Sequence, residues 1–148
     1  MPTYKLPVSV LVVIHTADFQ ILLLERADHP GYWQSVTGSQ DPGETLQQTA
    51  VREIREETGL NAADYDLSNW QIQNRYEIYE EWSWRYPPGT VYNIEHVFGL
   101  MLPKTMPITV SPREHLDYIW LPWQEAADKV FSSSNAHAIR LLANEQKL

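Results

Sequence analysis

Gly38-Ser-Gln-Asp-Pro-Gly-Glu44-Thr-Leu-Gln-Gln-Thr-Ala-Val-Arg52-Glu53-Ile54-Arg55-Glu56-Glu57-Thr58-Gly59-Leu60 is the stretch on which the reading of this chain turns. A turn carrying Gly and Pro leads into a charged amphipathic segment. Gly59 then supplies the residue type that closes helices in the left-handed conformation. Steps of about 100° per residue bring positions i, i+3 and i+4 to one face. Glu53, Glu56 and Glu57 are therefore expected to project together. Leu46, Ala50, Val51 and Ile54 fall on a neighbouring arc that can pack on a sheet. Like charges at this spacing repel by a few tenths of a kcal/mol per pair, roughly, and a hard divalent cation would offset that. Mg²⁺ takes oxygen ligands in octahedral geometry, usually one or two carboxylates plus substrate phosphates. The plain alternative is a solvated acidic helix.

The remaining sequence sets the frame. The chain has 148 residues, within the range of one domain, so residues 1–148 are expected to form a single unit. Apolar residues make up 43%, enough for a proper core. There is no apolar run long enough for a membrane span and no signal-peptide pattern at Met1 to Lys5. The absence of cysteine excludes disulfides and thiolate metal sites and makes the cytoplasm the default expectation. A net charge of −8 argues against a non-specific binder of nucleic-acid polymers. It leaves room for a nucleotide-like small molecule, because a metal ion can carry the positive charge a triphosphate needs.

Taken in order, Lys5 to Ile14 reads as a strand rich in β-branched residues, and Ile21 to Glu25 as a second that forms a hairpin with it. Tyr32 to Thr37 is a short extended run feeding the glycine turn. Thr45 to Thr58 is the helix, with Thr45 helping to start it. Trp70 to Trp84 reads as an aromatic strand broken by a bulge, with Trp82 and Trp84 sharing a face. Pro87-Pro88-Gly89 is a turn, after which Tyr92 to Leu102 is expected to pair antiparallel with the preceding strand. Leu116 to Leu121 is a further strand. Pro122 to Ala127 starts a helix, and Ser134 to Glu145 forms the last one. Most of the six tryptophans are expected in the core. The fold class is α/β, a mixed β-sheet covered on both faces.

The opening stretch matches the Nudix box, G-x5-E-x7-R-E-U-x-E-E-x-G-U with U aliphatic, at Gly38, Glu44, Arg52, Glu53, Ile54, Glu56, Glu57, Gly59 and Leu60. The resemblance implies a Nudix-type α/β/α sandwich and a hydrolase of substituted nucleoside diphosphates that uses Mg²⁺, or Mn²⁺. It implies Glu53 and Glu57 as the firmest metal ligands, Glu56 as the next, and a backbone carbonyl at Gly38. Arg52 and Glu44 act in support or as a structural ion pair. Glu114, in the loop after Pro112, is the best acid outside the box for metal binding or general base.

Flanking runs are similar to bacterial dihydroneopterin triphosphate diphosphatases of folate synthesis. They are Tyr4-Lys5 with Pro7-Val8-Ser9, Trp33 to Ser39, Arg85-Tyr86 with Pro88-Gly89, Glu114-His115-Leu116 with Trp120-Leu121, and Ser134-Asn135 with Ala138-Ile139. That likeness implies cleavage of dihydroneopterin triphosphate to the monophosphate and pyrophosphate, with side activity on triphosphates such as dATP. It makes Lys5 and Arg26 phosphate contacts, with Thr37 beside them. Tyr76, Glu77, Ile78 and Tyr79 become ring-pocket residues, Glu77 as acceptor for the guanidine-like edge of the pterin. Ser134 and Asn135 are ligand contacts or only helix caps. Rival readings are a house-cleaning nucleotide pyrophosphatase, a dinucleoside polyphosphate hydrolase, or a non-catalytic Nudix module. Oligomeric state stays open.

Overall fold

A computed structural model describes residues 4–145 and contains one seven-stranded mixed sheet with helices on both faces. Its centre is β1 (Val8–Thr16), which pairs parallel with β6 (Tyr92–Leu102). β1 also pairs antiparallel with β2 (Gln20–Arg26) and β4 (Val36–Ser39). β3 (Trp33–Gln34) and β7 (His115–Pro122) join β2, and β5 (Asp66–Glu77) joins β6. The box helix is α1 (Leu46–Thr58); α2 (Trp123–Lys129) and α3 (Ser133–Glu145) follow β7.

Strand alternation splits the core in two. Val10, Val12 and Ile14 of β1 face α1, where Ala50 and Ile54 complete a cluster with Phe98 and Leu100. Leu11 and Val13 face the other way, against Ala138, Ile139 and Leu142 of α3. Ile54 is fully buried, and an aliphatic side chain so placed contributes about 1.5–3 kcal/mol. The apolar arc of α1 thus sits as its spacing requires.

α1 is closed at both ends. Thr45 Oγ1 accepts from Gln48 N at 3.1 Å, and Gln48 Oε1 accepts from Thr45 N at 2.8 Å, a reciprocal capping box. Gly59 adopts φ +77° and donates to the Arg55 carbonyl. A side chain there would be strained. These caps fix where the helix begins and ends, and hence where its carboxylates stand.

The expected aromatic strand differs most from the structure. β5 starts earlier, at Asp66, and ends at Glu77. Its bulge is present: register shifts between Asn69 and Ile72, with Gln71 at φ +60°. Trp70 in that bulge lies across Gly99, where a Cβ would meet the indole. Residues Glu80–Arg85 form a 3-10 turn instead of strand, so Trp82 and Trp84 do not share a face. Trp82 is half-buried, and Trp84 is 72% exposed. The local reason is the non-alternating run Glu80-Glu81-Trp82-Ser83, whose turn is closed by Ser83 Oγ donating to the Glu80 carbonyl. Nor are the tryptophans core residues; none of the six is fully buried, and Trp33, Trp70, Trp120 and Trp123 pack against the cluster edges. No described helix is long and apolar enough to cross a membrane.

Candidate active site

β4 and α1 build the first wall of the site. Gly38 pairs with Val10 and so faces α1. A Cβ on Gly38 would fall within the Glu53 carboxylate; only glycine lets that carboxylate lie against the strand. Glu53 is 8% and Glu57 2% exposed, and the two carboxylates are within hydrogen-bonding reach of each other. Burial pushes the proton affinity of the pair up, and mutual repulsion adds to it at Glu57. The Thr37 backbone N–H opposes that rise at Glu57.

Glu57 Oε1 is buried without a hydrogen-bond partner among the described residues. It faces His115 Nε2 at 3.6 Å. Burial and then the charge of Arg26 push the His115 imidazole down to about 4, so at neutral pH it is uncharged and cannot neutralise Glu57. Among the described residues no Lys or Arg forms an ion pair with Glu57. A buried, unpaired anion is costly. An orphan carboxylate oxygen beside a second carboxylate is the oxygen-donor set that a hard divalent cation takes.

The three glutamates line one cavity but are not equivalent. Steps of about 100° put positions 56 and 57 on opposite sides of position 53, and the sheet takes 53 and 57. The Glu56 side chain is 49% exposed and lies 3.4 Å from Arg52 Nη1. Among the described residues no three His, Asp or Glu side chains already enclose an ion. Glu114 follows Pro112 in an exposed loop, yet it lines the same cavity, and its charge raises the Glu57 carboxyl.

Arg52 is the brace. It donates through Nε and Nη2 to Glu44 at 2.7 and 2.9 Å, to the Ser39 carbonyl at 3.0 Å and to Glu53 Oε1 at 2.7 Å. Those bonds hold the Glu44 carboxyl down at about 2. Helix, turn and β4 are thereby locked together around Glu53.

Cations form the second wall. Lys5 and Arg26 line the cavity as expected, and so does Arg85. Desolvation and the nearby Arg85 charge lower the Lys5 ammonium. Arg26 binds Asp28 through two bonds of 2.7 Å, reaches Gln34 Oε1 at 3.0 Å, and lies 4.7 Å from the Trp82 ring centre. Arg85 Nη2 lies 3.6 Å from the same Asp28. Arg85 sits in one of the flanking runs, which was the signal for it; its approach to Arg26 depends on the 3-10 turn and could not be read locally.

A third region is a recess that shares Thr37, Arg26, Gln34, Tyr76 and Trp82 with the cavity. Thr37 donates its hydroxyl to the Val10 carbonyl at 2.9 Å. Tyr76, Glu77, Tyr79, Ser134 and Asn135 line the recess, whereas Ile78 is buried outside both linings. Asn135 uses both ends of its amide on Ser35, at 2.8 and 2.9 Å, which makes it an anchor of α3. Glu95 of β6, which sequence reasoning did not single out, also lines the recess and is 5% exposed.

The NUDIX domain profile matches residues 5–142. The chain belongs to the Nudix family. It is 43% identical over 139 residues to the dihydroneopterin triphosphate diphosphatase of Escherichia coli, covering 92% of this chain and 91% of the relative. The protein of that name from Haemophilus influenzae is 36% identical over 143 residues, 95% of this chain and 89% of the relative. The solved structure of the E. coli dihydroneopterin triphosphate pyrophosphohydrolase superposes with a TM-score of 0.88 at 42% identity, over 94% and 96% of the two chains. Nudix hydrolases generally use a divalent metal, and the paired carboxylates of this Nudix box fit one.

Proposed function

We propose that this chain is a Mg²⁺-dependent pyrophosphohydrolase that converts 7,8-dihydroneopterin triphosphate and water to dihydroneopterin monophosphate and pyrophosphate. It acts as one domain, in the cytoplasm, with side activity on dATP and other nucleoside triphosphates. The observation that carries this reading is the 43% identity, over 92% of the chain, to a relative named for that reaction. The cavity supports it: carboxylates on one wall, cations on another, and an aromatic recess beyond.

Glu53 and Glu57 would hold the metal, with Glu56, Glu114 and the Gly38 carbonyl as further donors; Mn²⁺ suits the same set. Bound there, the cation would neutralise phosphate charge and orient water. Lys5, Arg26 and Arg85 neutralise the remaining phosphate oxygens and align the chain for in-line attack. Arg52 keeps Glu53 in place. Glu114 and Glu56, both exposed to the cavity, are the carboxylates able to accept the proton of the attacking water. Thr37 and Ser134 meet the substrate between phosphates and ring.

The test is kcat/KM for dihydroneopterin triphosphate, dATP and a dinucleoside tetraphosphate. The pterin should lead by at least tenfold. A tenfold lead for dATP, about 1.4 kcal/mol of transition-state discrimination, refutes the substrate assignment.

A further inference from the structure

The recess beyond Thr37 has a volume of about 180 Å³. That is less than the roughly 300–1,000 Å³ that holds a whole drug-sized ligand, so it suits one ring system rather than a ring with its triphosphate. Tyr79, Trp82 and Phe131 give it aromatic walls, with Trp82 edge-on to Tyr79 at 5.2 Å and to Phe131 at 6.5 Å between centroids. Such faces accept any flat heterocycle and do not tell one from another. Discrimination has to come from a polar group, and the recess contains two carboxylates, Glu77 and Glu95.

They are not equivalent. Glu77 is exposed at the end of β5, where water competes for every bond it makes. Glu95 is in the middle of the sheet, between Ser9 of β1 and Asn74 of β5. It stands on the α3 side with Leu11 and Val97. Asn74 Nδ2 approaches Glu95 Oε1 at 3.4 Å, and the Ser134 hydroxyl is within hydrogen-bonding reach. Among the described residues no cation pairs with it. A carboxylate has about four acceptor positions, so one long bond and one hydroxyl leave capacity for two more donors. Burial raises the Glu95 carboxyl, and Ser134 and Asn74 pull it back only in part. Donors from a ligand would complete that compensation.

We propose that Glu95 selects the heterocycle, its carboxylate accepting two parallel N–H bonds from the ring N–H and exocyclic amine of a 2-amino-4-oxopyrimidine edge. Pterins and guanine carry that edge. Adenine does not; it sets a ring-nitrogen acceptor beside its amine. This inference rests on the pyrophosphohydrolase reading and adds to it the residue that reads the ring. It replaces Glu77 in that role.

The test is Glu95→Gln, which keeps the shape but turns one acceptor into a donor. Against a pterin edge, two donors then meet and one buried bond is lost. Against adenine, one donor and one acceptor now match. The readout is the ratio of kcat/KM for dihydroneopterin triphosphate to that for dATP, which a loss of folded protein does not move. The ratio is expected to fall about 100-fold. A fall of less than tenfold overturns the assignment. Binding of neopterin without phosphate or metal, followed by its fluorescence, separates this inference from the function. A wild-type enzyme that prefers dATP refutes the substrate reading. Glu95 is then judged on neopterin alone: affinity at least tenfold weaker in Glu95→Gln supports it, and unchanged affinity overturns it.

Discussion

Glu53 and Glu57 stand four residues apart on one helix, whereas Glu95 and the residues around it come from β5, the 3-10 turn, β6, the link after α2 and the start of α3. At the phosphate end, the carboxylate pair is a local device. Two caps, one close-packed glycine and one arginine brace hold it. The ring end is an assembly of distant segments, positioned by sheet register and by Asn135 gripping Ser35. Chemistry needs tight placement of the proposed metal pair, and selectivity needs a recess that can be altered without disturbing it. Damage at the phosphate end should therefore lower turnover of every substrate equally, and damage at the ring end should change affinity or preference.

The largest effect is expected from Glu57→Gln, which removes the orphan carboxylate charge. Turnover of pterin and purine triphosphates should fall together by about 1,000-fold or more, and a drop confined to one substrate would blur the division drawn above. Gly38→Ala comes next. Its methyl group displaces the Glu53 carboxylate, so kcat should fall about 100-fold with the substrate ratio intact, at a stability cost of about 1–3 kcal/mol. Steady-state kinetics beside a denaturant melt would measure both; full activity would show that Glu53 has no fixed position to lose.

At the ring end, Trp82→Ala removes a wall and the partner of Arg26. It should lower kcat/KM about tenfold for both triphosphates, since either ring stacks. A change in the ratio would give Trp82 the selecting role argued for Glu95.

The smallest effect concerns the brace. The folded Glu44 carboxyl is depressed to about 2 by Arg52, so its contribution is present above the ordinary carboxylate value and is lost as pH falls through about 2. Glu44→Gln should be less stable than wild type by about 1 kcal/mol at neutral pH, and the gap should close between pH 4.5 and 2. Urea midpoints across that range would read it. A gap that does not depend on pH would mean that packing, not charge, accounts for the contribution.

The two ends also differ in how far the sequence revealed them. The capping box, the glycine cap and the spacing of Glu53 and Glu57 are short-range, so 23 consecutive residues carried them. That Glu56 is the exposed member of the three is a matter of which arc the sheet covers, which helical spacing alone does not settle. Strand existence was legible from β-branched runs and turns. Trp82 and Trp84 were misread because aromatic residues suit both a strand and a short 3-10 turn. Glu95 lies in a strand pattern whose neighbours, Asn74 and Ser134, are 21 and 39 residues away; only the fold brings them together. Lys5 and Arg26 were legible through the family likeness, and their convergence with Arg85 was not.

The central claim is that Glu53 and Glu57 bind a divalent cation against the phosphates of the substrate. Titration calorimetry of Mg²⁺ into protein saturated with a non-hydrolysable triphosphate analogue measures it directly. The account predicts saturable uptake in the wild type that is lost in Glu57→Gln. Equal uptake by the two proteins, or none in either, would contradict it.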